Sequence, residues 1–185
     1  MFSARTVAQM AAVFAKNQGG SINILKLMKL LYLADRESLQ RHGHPISFDR
    51  MVSMDHGPAL SMTYNLICGA VGGESGIVWD EWIKDRENHD VSLNRDFERS
   101  DLDHLSNADL EVLQAIWDQF GHMDQWQLKD YTHKNCGEWV DPDGSSNPIT
   151  FLTVLREVGA SRREAKTLSR KIESQRSLDT VFAGL

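Results

Sequence analysis

The chain is short of most features that announce a chemistry. Its 185 residues hold two cysteines, Cys68 and Cys136, far apart in sequence, which argues against a disulfide framework and suits reduced thiols. Its longest apolar stretch is broken by Lys26, Lys29 and Asp35, so no segment approaches the ~20 residues that span a membrane. The opening Met1-Phe2-Ser3-Ala4-Arg5 lacks the basic start, apolar middle and small-residue cleavage site of a secretion signal, and a cytoplasmic protein is expected. Gly19-Gly20 is not followed by the Lys-Ser/Thr of a phosphate-binding loop, the glycines of 69–76 follow a helix, and there is no Gly-x-Ser-x-Gly elbow. No internal repeat and no low-complexity tract is present.

What is there is the balance of an ordinary folded protein. Hydrophobic residues make up 41% and charged residues 25%, enough apolar content for one independent core at this length. The net charge of −6 is uneven: between Arg156 and Arg176 seven Lys or Arg face three Asp or Glu. That segment is +4 and the remainder −10. Phosphate binding needs a basic face, so an acidic body makes nucleic acid an unfavoured partner. The basic tail reads as a solvated helix or as a contact for an acidic partner.

The segment Leu25 to Arg36 is apolar nearly all round a helix, leaving a narrow polar strip at Lys26, Lys29 and Arg36. Such a helix belongs in the middle of a domain. Ser21 or Asn23 can cap it, and Gly43 with Pro45 closes it near Arg41. Ahead of it, Val7, Met10, Ala11 and Phe14 mark a first helix over 4–16. A brief extended segment is expected over 46–54, then a turn at 55–58 with Pro58 entering a third helix at its first turn. Residues 77–84 and 89–93 read as a strand pair around Glu87-Asn88. With nine acidic and four basic residues between Trp79 and His104, that region reads as a solvated flap. Ser106 with Asp109, and Asp124 with Gln127, open two further helices as capping boxes. The turn-rich loop 136–148 is long enough to be functional, a short helix is expected over 149–158, and Ser161 with Glu164 opens a last one. The expected architecture is mainly α: a compact multi-helix domain with a central buried helix and a small β-hairpin element. Residues 1–160 form the domain and 161–185 a basic C-terminal helix and tail.

Few residues suggest catalysis. His42, His44 and His56, with Asp35, Asp49 and Asp55 near in sequence, form the most metal-like group, but the spacing fits no metal motif and no metal or other cofactor is expected. Cys136 with His133, or Ser53 with His56, could make a nucleophile and base. Asp35 falls outside the polar strip, so its carboxylate needs partners in a partly buried place. It reads as a structural clamp on a turn such as Gly57-Pro58, with a catalytic acid as the alternative. Of the five tryptophans, Trp117 and Trp126 lie at helical core spacing. Trp79, Trp82 and Trp139 lie on the flap or the long loop, where aromatic residues can anchor a protein interface. The basic tail adds Arg163 and Lys166 as candidate contacts.

The order of motifs completes the reading. Leu27-Met28-Lys29-Leu30-Leu31-Tyr32-Leu33-Ala34-Asp35-Arg36, then Gly43-x-Pro45-Ile46, Asp49, Gly57-Pro58 and Tyr64 resemble the signature of the Panacea domain, also called the SocA-like antitoxin domain. Leu128-Lys129-Asp130-Tyr131-Thr132-His133, Glu138-Trp139-x-Asp141-Pro142 and Pro148-Ile149 continue it. The resemblance implies a small bacterial or phage protein of a type II toxin–antitoxin pair, which neutralises a cognate toxin by direct contact and carries no catalytic residues. A homodimer is compatible with it. The rival is a small metal-dependent or hydrolytic enzyme built on His42, His44, His56 and Asp35. A DNA-binding autoregulator is a third class, disfavoured by the acidic body.

Overall fold

A computed structural model describes residues 2–182; the last residues of the expected tail, 183–185, lie outside the described residues. The central helix, α2 (Ile24–His42), organises the fold. Asn23 caps it, its Oδ1 accepting the N–H groups of Leu25 at 3.0 Å and Lys26 at 3.3 Å. Gly43 ends it in the left-handed conformation, φ 74°, which a residue with a Cβ adopts at a cost. Leu27 to Asp35 are all buried, as the all-round apolar pattern requires.

Around α2 pack α1 (Ala4–Asn17), α5 (Asn107–Phe120), α6 (Gln125–Asn135) and α7 (Phe151–Glu157). The capping boxes at Ser106/Asp109 and Asp124/Gln127 are both formed. Two small antiparallel sheets flank the helices. One has the order β1-β5-β4, from β1 (Ser21–Asn23), β4 (Ile83–Glu87) and β5 (Asp90–Leu93), with Ile22 opposite Val91. The other has the order β3-β2-β6, from β2 (Met51–Met54), β3 (Gly57–Leu60) and β6 (Asn147–Ile149), with Ser53 opposite both Pro58 and Asn147. The short helices α3 (Ser61–Ile67) and α4 (Gly73–Asp80) join the sheets, and α8 (Arg162–Phe182) lies on α7. The fold is mainly α with minor β, as the sequence implies.

Local expectations differ in four places. Pro58 sits in β3 and α3 begins only at Ser61. Proline lacks an N–H and is tolerated on an edge strand, and β3 is an edge. Residues 73–80 are helical although Ile77-Val78-Trp79 favours a strand, because a helix lets Trp79 bury against α1. The expected helix over 149–158 begins at Phe151, since Pro148 and Ile149 pair with Val52 and Met51 in β6. The acidic flap is pinned down: Phe97, Leu102 and Leu105 are buried. Gln9 on α1 holds Asp103 and the His104 N–H at 2.6 and 3.0 Å.

Candidate functional site

The polar strip of α2 faces protein, and each of its three cations meets a different element. Lys26 Nζ donates to the Gly121 carbonyl at 2.6 Å, at the C-terminal end of α5 where the helix dipole favours a cation. Lys29 Nζ donates to the Pro58 carbonyl at 2.7 Å. Arg36 Nε donates to Glu138 Oε1 at 2.7 Å, and the Tyr32 hydroxyl donates to the same oxygen at 2.6 Å. Burial lowers the Lys29 ammonium from the usual lysine range to about 7. Burial also holds the Tyr32 phenol protonated well above its ordinary range.

Asp35 is fully buried on the same helix. Its Oδ1 accepts the N–H groups of Ile46 and Ser47, each at 2.9 Å, and its Oδ2 accepts the Ser47 hydroxyl. Asp35 thus clamps the chain just after Gly43, whereas Gly57-Pro58 is held by Lys29. Asp49 repeats the device, accepting the N–H groups of Met62 and Thr63 and the Thr63 hydroxyl at 2.7–3.0 Å, and so fixing the start of α3. Desolvation raises the Asp35 carboxyl to about 7 and pushes Asp49 in the same direction.

The Glu138-Trp139 loop closes the frame. Trp139 is half-buried, its ring stacked on His133 at 3.9 Å and its Nε1 donating to the Met54 carbonyl at 3.0 Å. The Val140 N–H donates to Ser53 Oγ at 3.2 Å, and the Gly144 N–H to Asp55 Oδ1 at 3.2 Å. Gly57 sits so tightly on α6 that a Cβ there would lie 2.9 Å from Thr132 Oγ1 and 3.1 Å from His133 Nε2. The motif residues scattered over 29–140 thereby converge on the β2–β3 hairpin.

Beside that hairpin a cleft of about 640 Å³ opens between the starts of α2 and α6. Met28, Lys29, Met54, His56, Tyr64 and Trp126 are among its lining residues. Trp126 is 56% exposed at its edge, with the His56 ring edge-on to it at 6.4 Å. Three of the five tryptophans sit otherwise than their sequence positions suggest. Trp79 is 4% and Trp82 1% exposed, Trp82 lying against Phe97 at 5.6 Å, so no exposed ring is offered at either. Trp126, expected in the core, is the exposed one: it occupies the first turn of α6, where the following Leu128 and Thr132 face inward. Arg163 and Lys166 are exposed on α8.

The residues considered for catalysis are not gathered. Asp35 is enclosed, His44 stacks on Phe48 at 6.1 Å, and His56 is at the Trp126 edge. Among the described residues no group of three or more His, Cys, Asp or Glu could hold a metal ion. The Cys136 thiol is buried and pushed up to about 12 by desolvation, so it remains protonated at neutral pH. Ser53 Oγ receives the Val140 N–H instead of engaging His56. No described helix is long and apolar enough to cross a membrane.

The arrangement is that of a small helical domain whose polar groups hold its own loops in place and whose most exposed large ring borders a cleft. The family model described as antitoxin SocA-like, Panacea domain, matches residues 27–140, and the chain belongs to that family. The match begins in α2 and ends at Val140, so α1, α7 and α8 lie outside it. No curated protein and no solved structure matches the chain.

Proposed function

We propose that this protein is an antitoxin that neutralises a cognate toxin protein by direct protein–protein binding, in the cytoplasm and with no catalytic step of its own. Membership of the SocA-like family over residues 27–140 carries the reading. The surface we assign to the toxin is the mouth of the cleft. Trp126 and Tyr64 are exposed there, and Val140 is exposed on the loop whose Gly144 and Ser145 line the same cleft. An exposed tryptophan at the rim of a concave surface is the usual centre of binding energy in a protein interface.

Trp139 belongs to the proposal as a support of the hairpin that borders this surface, through its stack on His133 and its bond to the Met54 carbonyl. Arg163 and Lys166 belong to the proposal as steering charges for an acidic partner. They lie on the basic segment 161–185, which we treat as an addition to the domain of residues 1–160. The acidic body leaves a protein as the partner in preference to nucleic acid.

The test is co-expression in bacteria with the product of the adjacent gene. The neighbour should arrest growth when expressed alone, and it should be harmless and co-purify when this chain is present. A neighbour that is harmless alone and never co-purifies would overturn the pairing.

A further inference from the structure

The cleft contains a charge for which the antitoxin reading has no use. Lys29 is 2% exposed and lines the cleft. Its ammonium has three donors, and among the described residues one is engaged, by the Pro58 carbonyl. No carboxylate of the described residues forms an ion pair with it. From α6 it faces Lys129 and His133, both of which meet it as like charges when protonated, and the Cys136 thiol, neutral at physiological pH. Asp55 is the one carboxylate among the residues lining the cleft, and its Oδ1 already accepts the Gly144 N–H. A buried ammonium without a counter-ion is costly.

The first residues of α2, Ile24 and Leu25, and of α6, Gln125 and Trp126, line the same cleft, but the N–H groups of Ile24, Leu25 and Trp126 are taken by the His89 carbonyl, Asn23 Oδ1 and the Asp124 carboxylate, so Lys29 is the group of the cleft that favours an anion. The rest of the wall is largely apolar, through Ile24, Leu25, Met28, Met54, Ala59 and Trp126. A volume of about 640 Å³ is that of a small-molecule site with apolar walls and few polar groups.

We propose that this cleft binds a small carboxylic acid with an apolar body, its carboxylate on Lys29 Nζ and its body against Met28, Met54 and Trp126. The site stands whether or not the toxin uses the same mouth. Because burial brings the Lys29 ammonium down to about 7, its charged form dominates at pH 6 and is a minority at pH 8. An acid ionised at both values then binds about tenfold more tightly at pH 6. His56 and His89 also line the cleft, so the pH comparison is made in a chain carrying His56→Gln and His89→Gln as well as in the natural one.

The experiment is a titration of the full chain with 4-phenylbutyrate and, separately, with the uncharged 4-phenylbutanamide, followed by two-dimensional proton–nitrogen NMR. The expected result is a saturable shift of the Trp126 indole N–H and of the amides around Lys29 with the acid. The amide should bind about tenfold more weakly, and the pH ratio should persist in the histidine variant. Lys29→Met should abolish acid binding. Should that variant fail to fold, the acid–amide contrast and the pH ratio of the histidine variant decide. No saturable shift at millimolar acid, equal binding of acid and amide, or affinity independent of pH would each overturn the proposal.

Discussion

Replacing Asp35 by Asn should make the protein more stable at neutral pH and less stable in acid. Asp35 is wholly enclosed, and desolvation raises its carboxyl from 3.8 to about 7. A carboxyl whose pKa is higher folded than unfolded takes up a proton on folding between those two values. Its favourable contribution is therefore whole below about 4 and is lost as pH rises to about 7, a change on the order of 4 kcal/mol. An Asn at this place keeps both N–H groups of Ile46 and Ser47 on its Oδ1, since both bonds go to that one oxygen. It deprives the Ser47 hydroxyl of its acceptor, at about 1 kcal/mol. The variant should be about 1 kcal/mol less stable at pH 4 and about 3 kcal/mol more stable at pH 7, with a crossing between. The repulsion between Asp35 and Asp49 is already part of the rise of the Asp35 carboxyl to about 7. The assay is urea unfolding of both proteins by circular dichroism at intervals from pH 4 to pH 7.5. The difference between them is the readout, because it cancels groups common to both, such as the depressed His133. A difference that does not change with pH, or an Asn variant weaker than the natural chain at pH 7, would refute the argument.

Glu138→Ala leaves the Tyr32 hydroxyl and the Arg36 guanidinium facing an emptied buried place. Breaking such a pair costs about 3–5 kcal/mol, which for a chain of this size lowers the melting temperature by roughly 6–20 °C; a loss below about 1 kcal/mol by calorimetry would show that the pair is solvated. Gly57→Ala must hold a Cβ at φ 96° and 2.9 Å from Thr132 Oγ1. We expect it to cost about 1–3 kcal/mol, and an unchanged urea midpoint would contradict the close approach. Trp126→Ala should leave stability within about 0.5 kcal/mol. It should weaken the proposed complex with a toxin by roughly 30-fold or more in a surface-binding assay, whereas equal affinity would move the interface elsewhere.

The helices were legible because their signals are local. Asn23 and Gly43 bound α2, two capping boxes begin α5 and α6, and the apolar circumference of α2 demanded the centre of the fold. The small strands were less legible. β3 and β6 hold four and three residues, too short for an alternating pattern to outweigh a Pro-containing turn or an adjoining helix. At 73–80 burial of Trp79 overrode the β preference of Ile77 and Val78. Exposure was the property read least well. Trp126 has the neighbours of a core residue in sequence, yet its place in the first turn of α6 leaves its ring at the surface.

Local patterning thus set the helical class and the enclosed place of the Asp35 carboxylate on α2, because caps and periodicity act over a few residues, while the order of its motifs carried the resemblance to a SocA-like domain. Only the packed chain decided which partner each buried polar group takes. Asp35 holds Ile46 and Ser47, Lys29 holds Pro58, and Tyr32 and Arg36 hold Glu138 from more than 100 residues away. Those pairings, and the cleft they leave beside Lys29, depend on how α2, α6 and the β2–β3 hairpin meet. A desolvated group must find its partner in space, whatever lies beside it in sequence.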